Sequence, residues 1–364
     1  MKSGILKKIL NLLTFAIFGF AVYALRADIL ATLKNIKNAD YFVLALIPFL
    51  QYFNYNSTGQ IYKWLYKIFN VGVPNKQALS LALELNFIGF VLPTAGVSGL
   101  SYLAIRMKDK ALPSVSTTVM GVKILIQNLA FIVFLFSGLL MLSLSGQASN
   151  FLILVASSLS LMIVFGGLVA IYIISSKARI RNSTKWLIDL VNFIFIKLKH
   201  FKGKLAKRIS SKKIEKKVTS LVDSEKMLTR LAKLHDNYLL LKRNRKQLIR
   251  PFAFGMLANL TELATIYLVF GASGYWANPG AIIIGYAVAS AAGIFSVVPG
   301  GVGIYEFLMV SVMVSAGVPA GVSISAIVMY RIINSGLSLP VGYYFYHKQL
   351  NKNSKLKIKP SDAN

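Results

Sequence analysis

Val298-Pro299-Gly300-Gly301-Val302-Gly303-Ile304-Tyr305-Glu306 interrupts an apolar segment, and so does Leu92-Pro93-Thr94-Ala95-Gly96-Val97-Ser98-Gly99, 206 residues earlier from proline to proline. In both copies a second proline follows 20 residues later, in Leu112-Pro113-Ser114 and Val318-Pro319-Ala320. An apolar helix is predicted to start at each second proline, where a missing N–H and a fixed φ suit the first helical turn. Each such helix carries one cation about three turns in, Lys123 in the first copy and Arg331 in the second. Paired, broken helices with buried charge are the pattern of transporters built from repeats.

Composition sets the solvent around these motifs. Hydrophobic residues make up 55% of the chain and charged residues only 15%, and the apolar residues fall in blocks at 9–25, 41–58, 114–145, 151–174, 252–271, 279–298 and 320–346. Several blocks exceed the ~18–20 residues that cross a hydrocarbon core. The expected fold is an all-α polytopic membrane protein, with about six full spans. Block 9–25 follows Lys2, Lys7 and Lys8 but lacks a small-residue cleavage site before Arg26, so it reads as an uncleaved span. The absence of Cys excludes thiolate chemistry and disulfides, and three His do not make a metal centre.

The net charge of +29 is unevenly spread. About half of the Lys and Arg lie between Lys177 and Arg250, and most of the rest flank the apolar blocks. This is the distribution of cations that stay in the cytoplasm. It places both termini inside and gives a multi-pass protein of the cell membrane. It also makes segment 78–105 a re-entrant hairpin entering from the cytoplasm and segment 279–318 one entering from outside. The two copies therefore have opposite orientation, an inverted-topology repeat. The expected divisions are a first membrane half at 1–176, a basic interfacial segment at 177–250, a second membrane half at 251–346 and a basic cytoplasmic tail at 347–364.

At the hairpin tips, Pro93, Gly96, Pro299, Gly300, Gly301 and Gly303 either pack closely or expose helix N-termini able to hold a phosphate. Lys123 and Arg331 lie 10 and 12 residues past Pro113 and Pro319, hence ~15–18 Å into a ~30 Å core. A cation there costs at least ~2.5 kcal/mol and needs an anionic partner. Glu84, Glu262 and Glu306 are the acids available within apolar blocks. Either cations and acids form structural pairs, or Arg331 and Lys123 receive a lipid phosphate while the Glu residues gate it or bind a cationic part of the headgroup. On the second reading, Arg331→Ala and Glu306→Ala abolish translocation and leave folding largely intact. Arg106 reads as an anchor at the cytoplasmic edge or a headgroup contact, and Tyr102 and Tyr305 as cavity lining or packing.

The stretch 186–199 is flanked by cations and could lie along the membrane surface, and 204–246 is a polar helical run with basic patches. An anionic membrane surface is its expected partner. No recognition module supports nucleic-acid binding, and Asp223-Ser224-Glu225 sits among cations as a solvated face.

Phe90-Val91-Leu92-Pro93 with Gly96, Gly99, Tyr102-Leu103 and Arg106, then Val298 to Gly303 with Glu306, Gly317-Val318-Pro319 and Tyr330-Arg331, resemble the signature of the lysylphosphatidylglycerol synthase transmembrane region. The resemblance covers about residues 5–346, and its second-half motif is the more specific. It implies a flippase-like protein: in the bacterial multiple peptide resistance factor this region resembles a flippase for aminoacylated phosphatidylglycerol, with a separate soluble domain making the ester. No such aminoacyl-transfer domain is expected here. Other stand-alone members are linked to lipid-bound sugar assembly, so the implied cargo is an anionic phospholipid or a polyprenyl-phosphate lipid, with separate envelope or lipid-modifying enzymes as further partners. The alternative is an integral glycosyl or acyl transferase, or a regulatory membrane protein of lipid or envelope biosynthesis. Against a transferase, the buried acids are scattered, no Asp-x-Asp motif occurs and no His lies within a span. No ATP-binding motif or cofactor is implied.

Overall fold

A computed structural model describes residues 39–92, 97–186, 189, 224–295 and 301–356. The predicted first span at 9–25, nearly all of 187–223, both hairpin apices at 93–96 and 296–300, and the end of the tail lie outside these residues. Among the described residues the fold is helical, with no strand.

The helices are α1 (Tyr41–Ala45), α2 (Ile47–Ile68), α3 (Asn75–Val91), α4 (Val97–Arg106), α5 (Pro113–Leu144), α6 (Asn150–Ile174), α7 (Ser224–Arg243), α8 (Ile249–Ala272), α9 (Pro279–Phe295), α10 (Ile304–Ser315) and α11 (Ala320–Leu356). A 3₁₀ turn, Arg245–Leu248, leads into α8. Local chemistry sets the ends. Asp40 caps α1 by accepting from the Phe42 and Val43 N–H groups at 2.9 and 3.2 Å. Helix α5 starts on Pro113 as expected, and Ser149 caps α6 by accepting from Leu152 N–H.

Among the described residues, four helical stretches are long and apolar enough to cross a membrane: Pro113–Leu144, Asn150–Ile174, Arg245–Ala272 and Ala320–Asn351. Block 41–58 differs from its predicted form. The helix breaks at Leu46 and resumes as α2, which runs on to Ile68 and buries polar residues such as Gln51, Ser57 and Gln60 among other helices. Helix α11 likewise runs past the predicted boundary at 346 to Leu356. Both predicted hairpins are broken in the middle, with limbs α3 and α4 in the first and α9 and α10 in the second.

The order of elements repeats: α2-α3-α4-α5 is matched by α8-α9-α10-α11. Helices α2 and α8 lie side by side, and the contacts between them give their direction. Asp40 N–H, just before α1, donates to Ala272 O at 3.0 Å, Gln51 donates to Thr265 at 3.4 Å, Asn54 to Ala258 O at 2.8 Å, and Arg250 covers the ring of Trp64 at 4.3 Å. As one number rises the other falls, so the equivalent helices run antiparallel. Antiparallel equivalents are what an inverted repeat requires. Cross-packing obeys the same exchange. Helix α3 packs on α11, where Asn86 donates to Ser338 at 3.2 Å, and its counterpart α9 packs on α5, where the Phe131 and Tyr286 rings meet at 5.6 Å. Paired contacts of this reciprocal kind are the signature of two-fold symmetry.

The two ends of the bundle differ in charge. One gathers Lys63, Lys67, Lys110, Lys177 and Arg250, with α7 packed beneath α5 and α6 through Asn237 to Thr118 at 2.9 Å and His235 to Ile174 O at 3.0 Å. At the other, loops 145–149, 273–278 and 316–319 carry no charge, and Asn278 ties two of them by donating to Ser145 and Gln147 at 2.8 Å. Between the ends, α6 turns Leu154, Leu161, Phe165 and Leu168 outward. So large an apolar exterior belongs in lipid.

Candidate functional site

A cavity of about 260 Å³ lies between the repeats, lined from α2, α3, α5, α8, α9 and α11. Lys123 of α5 and Glu262 of α8 face it, together with Asn54, Asn86, Gln127, Asn259 and Asn334. Amides in a membrane interior must be satisfied, and most of these are. Asn54 donates to Ala258 O and to Glu262 at 2.8 and 3.0 Å, Asn259 to Gln127 O at 3.0 Å, and Asn334 to Glu262 at 3.3 Å. Tyr330 adds a third donor to the Glu262 carboxylate. Neutral donors therefore surround Glu262, and among the described residues it forms no direct ion pair.

Arg331 is engaged elsewhere. Its Nε donates to Glu306 Oε1 at 2.8 Å, and its guanidinium lies 4.6 Å from the centre of the Tyr305 ring. Glu306 also accepts from the Gly303 N–H at 2.6 Å, so it caps α10 while it pairs the cation. The turn before α10 requires glycine at two positions, Gly301 with φ 67° and Gly303 with φ 89°. These bonds fasten the second hairpin limb to α11. The Gly303 N–H that was expected to be open to a phosphate is occupied by a carboxylate, a correction with a plain cause: the helix carries its own anion three residues on. Pro299 and Gly300 lie outside the described residues, as do Pro93 and Gly96 of the first apex.

In the first repeat, Arg106 turns inward. Its Nε donates to Glu84 Oε2 at 3.0 Å, and Tyr102 donates to the same oxygen at 2.7 Å. The side chains of Glu84 and Arg106 are only 1% and 13% exposed, so Arg106, at the end of its helix, is paired with a buried acid. Burying a lone carboxylate costs several kcal/mol, and the pair with Arg106 offsets it. Tyr102 packs its ring on Tyr346 of α11, 5.7 Å between centroids.

The expectation that both deep cations have anionic partners holds for Arg331 and fails for Lys123. Among the described residues Lys123 forms no ion pair, and it is half-buried at the cavity wall. Two of the three membrane acids are committed to arginines and the third to neutral donors. The cavity amides and Tyr286 were missed from sequence. For Asn54 the signal was the polar run Gln51-Tyr52-Phe53-Asn54-Tyr55-Asn56-Ser57-Thr58 inside a segment otherwise read as a span; the others stand singly in apolar helices.

The family model described as "Lysylphosphatidylglycerol synthase TM region" matches residues 9–342. The chain belongs to this family. The lysylphosphatidylglycerol synthase transmembrane-region family is one of integral membrane proteins, in keeping with the multi-pass helical fold. Among curated proteins, one described as "UPF0104 membrane protein" from Methanothermobacter thermautotrophicus is 35% identical over 94 residues, 26% of this chain and 28% of that protein. The match thus spans little more than a quarter of that relative. No solved structure matches the chain.

Proposed function

We propose that this membrane protein carries a phosphate-bearing lipid headgroup between leaflets, using the cavity between its inverted repeats as the binding site. One observation supports the reading above the others: Lys123 faces that cavity and, among the described residues, has no carboxylate partner. A lone cation at membrane depth is stabilised when an anion reaches it, so the amine is the group that a headgroup phosphate would satisfy. The volume of about 260 Å³ lies just below the ~300 Å³ at which pockets for drug-sized ligands begin. It suits a headgroup, with the acyl chains left in the bilayer. Amide oxygens of Asn54 and Asn259, whose NH₂ groups are held by the protein, would accept from headgroup hydroxyls.

Antiparallel repeats with reciprocal packing supply two equivalent arrangements, one open to each leaflet. In this reading the Glu84–Arg106 and Glu306–Arg331 pairs brace the moving hairpins, and the basic end faces the cytoplasm of a cell membrane. The test is translocation of fluorescent phosphatidylglycerol in vesicles reconstituted with the parent and with Lys123→Gln. The parent is expected to move lipid and the variant to lose at least tenfold in rate, with thermal unfolding in detergent unchanged or improved. Equal rates would remove Lys123 from the site.

A further inference from the structure

A second cavity, about 660 Å³, opens at the basic end and shares no lining residue with the first. Its walls are the end of α2 (Lys63, Lys67, Ile68), the loop to α3 (Asn70, Val71, Gly72, Val73), Leu240 near the end of α7, Asn244 just after it and Gln247 of the 3₁₀ turn. Three cations crowd one aromatic ring beside it. Lys67, Lys63 and Arg250 stand 4.8, 5.6 and 4.3 Å from the centre of the Trp64 indole. Lys242, Arg243, Arg245 and Lys246 follow in the last turn of α7 and the 3₁₀ turn.

Among the described residues no carboxylate pairs with any of these cations, since the ion pairs are Glu84–Arg106, Asp236–Lys177 and Glu306–Arg331. Lys63 donates to the neutral Asn75 Oδ1, at 2.7 Å. Like charges drawn together on one ring repel unless an anion joins them, and the indole face offsets only part of that. The groove is concave, polar at its rim through Asn70, Asn244 and Gln247, and large enough for a whole headgroup.

From these facts we infer a distinct phosphate site at the basic membrane edge, occupied by the headgroup of an anionic phospholipid. The source of the phosphate is argued from what adjoins the groove. Directly after Gln247, α8 exposes Ile249, Ala253, Leu257 and Leu260, spaced four, four and three residues apart along one apolar stripe. A stripe of this kind gives acyl chains a surface that a soluble phosphate does not use. Trp64, with an apolar body and cations at its faces, is the side chain expected at headgroup depth. Lys63 and Lys67 belong to the first repeat and Arg250 to the second, so a bound headgroup bridges the repeats where α2 and α8 meet.

The experiment is native mass spectrometry of the full chain titrated with phosphatidylglycerol or with phosphatidylcholine of the same acyl chains. The expected result is preference for phosphatidylglycerol, reduced on the order of a hundredfold in Lys63→Gln/Lys67→Gln/Arg250→Gln, as the surface worth of three cations predicts. The single variant Asn70→Asp places a carboxylate at an exposed, left-handed position that Asp tolerates. It should weaken phosphatidylglycerol binding at least fivefold without touching the three cations. Glycerol 3-phosphate at lipid concentration should displace nothing. Unchanged phosphatidylglycerol binding in Asn70→Asp and the triple variant overturns the site, and equal displacement by glycerol 3-phosphate overturns its assignment to lipid.

Discussion

Gly342 of α11 lies against the backbone of α3, and replacing it with alanine tests whether the repeats pack across each other as described. A Cβ at this position would sit 2.6 Å from Leu83 O and 2.8 Å from Phe87 Cβ. Ordinary contact begins at 3.4 Å, so the helices must separate by 3.4 − 2.6 = 0.8 Å. Neither obstacle is the far end of a flexible side chain, and no rotamer change relieves the clash. Overpacking of this kind costs about 1–3 kcal/mol. Alanine also gains about 0.8–1.0 kcal/mol of helix propensity over glycine, which would hide part of the loss. Gly121→Ala supplies the correction: it lies inside α5, and a Cβ there meets nothing within 4 Å. The difference between the two variants then isolates the packing cost. Thermal unfolding in detergent should show Gly121→Ala equal to or above the parent and Gly342→Ala below it, separated by about 1–3 kcal/mol. Identical midpoints for the two variants would refute the α3–α11 contact.

Arg106→Met should destabilise the protein by about 3–5 kcal/mol by stranding the Glu84 carboxylate, and Glu84→Gln/Arg106→Met should recover much of it, as measured by detergent unfolding. Glu306→Ala uncaps α10 and breaks the buried ion pair with Arg331, so it should lower stability by a similar ~3–5 kcal/mol as well as any transport rate. This revises the sequence-based expectation that the substitution spares folding, and a variant as stable as the parent would restore that expectation. Asn278→Ala removes two exposed bonds between the uncharged loops and the acceptor for the Gly280 N–H at the start of α9, and should cost about 1–2 kcal/mol in the same unfolding assay.

Prolines and cations made the architecture legible. Pro93 and Pro299 marked the breaks, Pro113 and Pro319 the restarts, and the distribution of Lys and Arg predicted opposite orientations that the antiparallel α2–α8 pair matches. Partner choice was not legible. Glu84, Glu262 and Glu306 were visible as buried acids, yet which cation each meets depends on helix rotation, which spacing along one helix does not fix. The pairing of Arg106 with Glu84 was not legible because a residue at the end of a helix can still reach inward along a long side chain. The repeat in backbone is also not a repeat in chemistry. At the 206-residue offset Glu84 meets Ser290, Glu306 meets Leu100 and Arg331 meets Leu125, so one half could not be used to read the charges of the other.

The central claim is that one cavity between inverted repeats opens to each side of the membrane in turn. The natural absence of Cys permits a direct measurement: Gln127→Cys places one thiol on the cavity wall, and a membrane-impermeant maleimide is added to oriented vesicles from either side. Alternating access predicts labelling from both sides, slowed by phosphatidylglycerol with its headgroup in the cavity. A thiol that reacts from one side alone, in every lipid tested, would contradict it.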